Sequence, residues 1–146
     1  MRDRGVSVTL NYTLVLGITA ILVVGLLTAG SGFVESQRNS VIDSELRVIG
    51  ERLAADLATA DRLAQLGESS TALNVTAQLP KTVAGTSYRI EVVTAGGNTS
   101  LELTTDSLDR VVTARVANTT AIEPTEFPGG PVEIVYTGGK LEVRDA

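Results

Sequence analysis

Few residues of this chain have side chains that could do chemistry. Its 146 residues include neither cysteine nor histidine. A disulfide framework, a Cys/His zinc site and the usual Ser-His-Asp or Cys-His catalytic sets are therefore excluded. Two close carboxylate pairs remain, Asp106 with Asp109 and Glu123 with Glu126. Such pairs can act in acid–base catalysis or bind Ca²⁺, but neither pair has the spacing of a calcium loop. Solvated acidic surface is the better interpretation of both.

Serine–lysine catalysis would have to use Lys81 or Lys140, the two lysines of the chain. Lys81 follows a proline and Lys140 follows Gly138-Gly139, so both are predicted to lie in turns. We therefore expect no catalytic residue, no bound metal and no cofactor, and we do not expect an enzyme.

Four Asn-X-Ser/Thr sequences are candidate N-glycosylation sites. Asn74, Asn98 and Asn118 lie in the polar part of the chain, and the last two are near predicted turns. Asn11 lies in an apolar run, where a transferase could not reach it. Threonine-rich chains also generate this pattern by chance, so occupancy stays open.

The charge distribution argues against a nucleic-acid partner. The formal net charge is −5, the basic residues do not cluster, and the chain has three tyrosines, two phenylalanines and no tryptophan. Neither the basic footprint nor the stacking rings that nucleic-acid binding needs are present.

An uncharged run from Gly5 to Val34 is the dominant element of the sequence. An apolar run of at least ~18 residues is typical of a membrane-spanning helix, so residues 6–34 are predicted to be a transmembrane helix in contact with lipid. Residues 1–5 form a short charged leader. Because Arg2 and Arg4 lie in it, the positive-inside tendency predicts a cytoplasmic N-terminus and an external C-terminal domain.

Residues 35–66 continue the helical pattern as an amphipathic helix. Its apolar positions recur at intervals of three and four residues. They are Val34, Val41, Ile42, Leu46, Ile49, Leu53, Leu57, Ala60 and Ala64. A sheet from the same chain is expected to cover this stripe in part or completely, and any part left bare would suit a neighbouring subunit.

Residues 72–146 are predicted to form an external β domain of about five or six strands. Strand-like segments are 72–79, 87–94, 100–105, 110–117, 132–137 and 141–144. Gly96-Gly97 and Gly138-Gly139 predict hairpin turns, and the proline-rich segment 121–131 predicts a loop. The fold class is therefore α+β, with a long N-terminal helix packed on a small, mainly antiparallel sheet.

The N-terminal sequence Asp3-Arg4-Gly5-Val6-Ser7, followed at once by the apolar helix, resembles the class III signal of archaeal type IV prepilins. In that family a membrane-bound prepilin peptidase cuts after a small residue that follows a basic one. The resemblance implies Arg4 as the basic residue, Gly5 as the last leader residue and Val6 as the new N-terminus. Bacterial pilins carry a glutamate where Leu10 stands, which favours a minor or accessory subunit.

The acidic, lysine-poor composition is similar to that of proteins from salt-loving archaea, although a GC-rich genome also favours arginine. The resemblance implies a surface filament in which other pilin-like subunits pack through the N-terminal helix. Two alternatives stay open. One is an unprocessed single-pass protein that displays an extracellular binding module. The other is a protein released by ordinary signal peptidase near Thr28-Ala29-Gly30.

Overall fold

The computed structural model describes residues 3–67, 73–106 and 108–146. The chain divides into two compact units, one ending at Arg38 and the other spanning Asn39–Ala146. Within the described ranges the elements are α1 Asp3–Leu66, β1 Asn74–Ala77, β2 Thr82–Val83, β3 Thr86–Ala95, β4 Asn98–Thr105, β5 Leu108–Val116, β6 Ala121–Ile122, β7 Glu126–Pro128, β8 Val132–Thr137 and β9 Lys140–Asp145.

The first unit is entirely helical where it is described. No proline interrupts this part of the chain, and leucine and alanine favour the helix. Its large hydrophobic side chains from Val8 to Val34 are 49% to 74% exposed. This helix is long and apolar enough to cross a membrane, and none of its most apolar part is buried within the protein. Among the described residues, this helix is therefore the candidate membrane anchor, and it lies near the N-terminus.

In the second unit, α1 buries one face against the strands. Six of the predicted stripe positions are buried: Ile42, Leu46, Ile49, Leu53, Leu57 and Ala60. Val41 is 47% exposed, so the sheets cover the stripe only in part. The helix lies close to the strands at Gly50, where an added Cβ would lie 2.9 Å from Leu103 Cδ1 and 3.0 Å from Ala114 Cβ.

The first sheet has the order β2-β3-β4-β5, and β7 also pairs with β3. The predicted hairpin is confirmed: β3 and β4 pair antiparallel from Tyr88 opposite Thr105 to Ala95 opposite Asn98. Gly96 and Gly97 form its turn with positive φ angles of 59° and 83°. Glycine adopts these angles without the steric cost that a Cβ would add.

The second sheet has the order β1-β8-β9-β6, in which β6 runs parallel to β9. The predicted hairpin between residues 132–137 and 141–144 is confirmed as β8 and β9. Buried residues from both sheets and from α1 form one core, including Ile90, Leu101, Ile134 and Leu141. The α+β fold, with the helix packed on mainly antiparallel sheets, is confirmed.

Two details of the predicted β domain were wrong. The strands form two sheets rather than one, and the described residues contain nine strands rather than five or six. The predicted loop 121–131 contributes β6 and β7, because Phe127 is buried opposite Ile90 of β3. Each is only two or three residues long, too short to show an alternating pattern. The predicted start of the β domain at residue 72 lies outside the described ranges.

Gly129 allows the chain to pass directly over the ring of Tyr88. A Cβ at Gly129 would overlap that ring, and the Gly129 N–H donates to the Tyr88 carbonyl at 2.9 Å. The Tyr88 hydroxyl donates to the Pro80 carbonyl at 2.6 Å. Burial raises the pKa of Tyr88 to about 12, so the hydroxyl keeps its proton throughout the physiological range.

Gly129→Ala is expected to lower the free energy of unfolding of the detergent-solubilised chain by about 1–3 kcal/mol, because the Tyr88 ring has to move. Urea denaturation followed by circular dichroism measures the change. The matched control is Gly67→Ala, where the nearest atom to an added Cβ is 3.5 Å away. It should change stability by less than about 0.5 kcal/mol. Equal effects of the two substitutions would contradict the close packing.

Candidate functional site

The exposed surface of the N-terminal helix is the first candidate site. Its threonine hydroxyls need no partner from another helix, since Thr13, Thr19 and Thr28 donate to carbonyls four residues earlier at 2.8–2.9 Å. The exposed Asn11 amide makes no hydrogen bond among the described residues. An amide at this place in a membrane helix is costly against lipid and stabilising against a second helix.

Glycines provide places of close approach on the same surface. An added Cβ would meet no atom of the chain within 4 Å at Gly17, Gly25, Gly30 or Gly32. Small residues let two membrane helices bring their backbones together. The first unit therefore presents a surface suited to packing against another helix.

The predicted cleavage residues lie at the start of the same helix. Arg4, Gly5 and Val6 are all within α1, whose described part begins at Asp3. Met1 and Arg2 of the predicted leader lie outside the described residues.

In the second unit, the outward-facing side of α1 lies between two surface grooves. The larger groove, of about 700 Å³, separates the helix from the β2–β3 turn. The smaller, of about 390 Å³, separates the helix from β5. Val48, at the edge of the larger groove, is 64% exposed. Exposed aliphatic side chains beside grooves are common features of protein interaction surfaces.

Asp61 ties the end of α1 to the segment between β5 and β6. Its carboxylate accepts the Thr120 N–H at 2.7 Å, the Thr119 N–H at 3.1 Å and the Gln65 side-chain amide at 2.7 Å. The residue is only 4% exposed. Burial by itself would raise the pKa of Asp61, but these bonds and one from the Thr120 hydroxyl outweigh it. They hold the pKa of the carboxyl below its usual value.

Asp61 was not predicted from the sequence to have a structural role. The sequence did contain an indication of that role, because Asp61 lies four residues after Leu57 and next to Ala60, within the apolar stripe of the helix. An acidic residue at such a position needs hydrogen-bond partners once it is buried. The partners are far away in the sequence, so the pattern could not name them.

The three polar-region sequons differ in the state of their asparagine amide. Asn74 Nδ2 donates to Glu133 Oε1 at 3.0 Å, across the pairing of β1 with β8. Asn118 Nδ2 donates to the Thr120 carbonyl at 2.9 Å, within the segment that Asp61 holds. Asn98 is exposed at the start of β4, next to the hairpin turn. The structure therefore distinguishes the Asn98 amide, which makes no hydrogen bond among the described residues, from the Asn74 and Asn118 amides, which each donate one.

Of the two carboxylate pairs, the structure describes both side chains only for Glu123 and Glu126. Glu126 pairs with Arg89 at 3.1 Å, whereas the Glu123 N–H donates to the Leu141 carbonyl. Asp106 is exposed in a turn, and the Asp109 side chain is outside the described part of the chain. No group of three acidic residues that could hold a metal ion occurs among the described residues. Lys81 and Lys140 are both exposed.

Asp61→Asn is expected to lower the free energy of unfolding by about 1–3 kcal/mol at pH 7, because buried N–H donors lose a charged acceptor. The folded-state pKa of Asp61 is lowered, so its carboxylate contributes fully to the free energy of unfolding above the unfolded-state pKa of about 4. This contribution is lost as the pH falls through the folded-state pKa of Asp61. Denaturation of wild type and variant between pH 7 and pH 2 should show the difference shrinking below about pH 4.

Asp56→Asn, five residues earlier in the same helix, is the matched control for the hydrogen bonds of Asp61. It should leave stability nearly unchanged at every pH. A constant difference between Asp61→Asn and wild type across the titration would argue against the ionised carboxylate as the acceptor.

If the chain is N-glycosylated, the glycan is expected on Asn98, because its Nδ2 is the one of the three that makes no hydrogen bond among the described residues. Peptide mass spectrometry of protein from its native membrane locates the added mass. Asn98→Gln should remove the modified form, and Asn118→Gln should retain it. A glycan on Asn74 or Asn118 with Asn98 bare would contradict the assignment.

Comparison with known proteins identifies one match. The model of a family of unknown function, DUF7266, matches residues 1–144, which include both the apolar helix and the β-rich unit. No curated protein and no solved structure matches the chain. Since the matched region covers nearly its whole length, the chain belongs to the DUF7266 family.

Proposed function

We propose that the protein is a pilin-like structural subunit, minor or accessory, of an archaeal type IV pilus-like surface filament. A prepilin peptidase would cut it between Gly5 and Val6. The apolar helix would then pack against other pilin-like subunits. The β-rich unit would lie outside the membrane, consistent with the arginines of the leader on the cytoplasmic side.

The observation that carries the proposal is the change in the surroundings of α1 along its length. Large apolar side chains from Val8 to Val34 are exposed, whereas apolar positions from Ile42 to Ala60 are buried in the core of the second unit. One helix thus contributes to the core of the second unit and also carries an uncovered apolar surface. A pilin needs both, because the uncovered surface first lies in lipid and later contacts neighbouring subunits.

Local features of the apolar helix add support. Lipid is as apolar as leucine, so membrane helices associate through close packing and polar contacts rather than through the hydrophobic effect. The Asn11 amide supplies a polar contact, and Gly17 and Gly25 supply open packing positions. The proposal requires no catalytic group, consistent with a mechanism that is purely structural.

The N-terminal residue of protein purified from its native membrane is the direct test. Mass spectrometry of the terminal peptide should show that the mature chain begins at Val6. Gly5→Leu should block processing, because a bulky residue replaces the small one before the cut. Gly25→Leu is the matched control. It makes the same change in the apolar run, at a position with no atom within 4 Å of the added Cβ, and should be processed normally.

The outcome also separates the alternatives. A chain that begins at Met1 or Arg2 would reject processing and favour a single-pass protein that displays an extracellular binding module. That alternative has its own support, because the second unit has a hydrophobic core within Asn39–Ala146. A chain that begins near Gly30 would reject both functions and indicate a secreted protein.

A further inference from the structure

We propose that the outer edge of β5 binds an extended strand of another polypeptide, which adds to the first sheet antiparallel to β5. The strand that fits has small side chains on the side that faces α1 and a carboxylate opposite Arg115. This site lies entirely within the second unit, Asn39–Ala146, and does not involve the apolar helix on which the proposed function rests.

Strand β5 is a long uncovered edge of the first sheet. It has nine residues and, in the part of the chain that the structure describes, pairs with β4 alone. The other described strands that end a sheet are β1, β2, β6 and β7, and each has only two to four residues. A terminal strand exposes a row of backbone groups that can pair with another chain, and a short strand limits this exposure. Among the described strands, β5 therefore offers the longest edge for an added strand.

The β3–β4 hairpin shows which backbone groups of β4 point toward β5. The two residues of its turn, Gly96-Gly97, both have positive φ angles, and in such a turn the residue after the pair donates to the carbonyl before it. The Asn98 N–H is therefore directed at the Ala95 carbonyl of β3. Because this direction alternates along an antiparallel strand, Leu101 and Leu103 direct their backbone groups at β5.

The outward-pointing groups of β5 follow from its register with β4. The β5 partners of these two leucines are Ala114 and Val112, and the register is regular from Val112 to Val116. Thr113 and Arg115 alternate with these residues, so their N–H and carbonyl groups point away from β4. No backbone group of either residue has a hydrogen-bond partner outside β4 among the described residues. Two donors and two acceptors are thus available to an added strand.

The smaller groove, between α1 and β5, determines which side chains such a strand can carry on one face. Paired residues of neighbouring strands share a face of the sheet, so partners of Val112 and Ala114 would point toward α1. The groove there measures about 390 Å³. Most of its lining residues are alanines, namely Ala54, Ala55, Ala58, Ala114 and Ala117. Small side chains such as alanine or serine fit this space.

Arg115 supplies the charge preference of the other face. It is exposed and makes no ion pair or hydrogen bond among the described residues, whereas Arg89 of the same sheet lies 3.1 Å from Glu126. Opposite charges that face each other across two strands are stabilising. A carboxylate opposite Arg115 is therefore favoured, while Glu51 in the groove lining disfavours an acidic side chain on the α1 side.

The test uses the full-length chain in lipid nanodiscs and a fluorescent nine-residue peptide. In this peptide threonine alternates with alanine, and glutamate replaces the central threonine. Fluorescence anisotropy should show saturable binding. Hydrogen exchange should slow at the Thr113 and Arg115 amides when the peptide is added, because both N–H groups become hydrogen-bonded. Absence of binding, or protection confined to other parts of the chain, would overturn the proposal.

Two N-methylated versions of the peptide test the direction of the hydrogen bonds on the natural protein. Methyl groups on the two threonines nearest the glutamate block N–H groups that face β5, and should weaken binding at least about tenfold. Methyl groups on the two alanines beside the glutamate block N–H groups that face away, and should change binding less than about twofold. Equal weakening by the two modifications, or the reverse order, would contradict strand addition at this edge.

Charge exchange tests the carboxylate preference. Arg115→Glu should lower the affinity for the glutamate peptide at least about twofold, and a peptide with lysine in place of glutamate should recover it. Arg52→Glu is the matched control, because it makes the same change at an exposed arginine that lines the larger groove. It should leave binding unchanged. Failure of the lysine peptide to recover would overturn the assignment of the carboxylate.

Hydrogen exchange without the peptide identifies the alternative occupant. Fast exchange at the Thr113 and Arg115 amides, independent of protein concentration, is the expected result. Protection that increases with protein concentration would place a second copy of the chain on the edge and overturn the proposal. None of these measurements depends on whether the mature chain begins at Val6, so this inference and the proposed function can fail separately.

Discussion

The structure depends on a single constraint, which is that the apolar surface of α1 has to be removed from water along its whole length. Burial of apolar surface contributes about 25 cal/mol per Å². In the second unit, residues such as Leu46 and Leu53 meet this constraint within the chain, since both are fully buried. In the first unit no described part of the chain covers the helix, which is long and apolar enough to be a membrane anchor. The same element therefore contributes to the core of the fold and carries the candidate anchor.

At two places in the second unit, the packing of the helix depends on a residue that is not a large aliphatic one. At Gly50 the lack of a side chain lets the helix reach Leu103 and Ala114. At Asp61 a buried carboxylate replaces apolar contact with hydrogen bonds to the backbone of the Thr119-Thr120 segment. The first arrangement depends on volume and the second on charge. Together they fix the middle of the helix against β4 and β5 and its end against the segment between β5 and β6.

Local periodicity explains which parts of the fold could be predicted from the sequence. The helix, the β3–β4 hairpin and the β8–β9 hairpin follow from patterns within about ten residues and from Gly-Gly turns. The division into two sheets, the parallel pairing of β6 with β9 and the role of Asp61 could not be predicted, since each joins segments far apart in the sequence. The sequons were visible in the sequence, but the engagement of the Asn74 and Asn118 amides depends on tertiary contacts.

The chain has neither cysteine nor histidine, and its exposed surfaces offer contacts whose energies differ in kind. An exposed ion pair such as that between Arg89 and Glu126 is worth only about 0.2–1 kcal/mol. A contact of this size between two molecules is too weak to hold them together in solution. Anchoring in one membrane would change this balance, because confinement raises the effective concentration of a second molecule. Weak contacts could then select orientation and register.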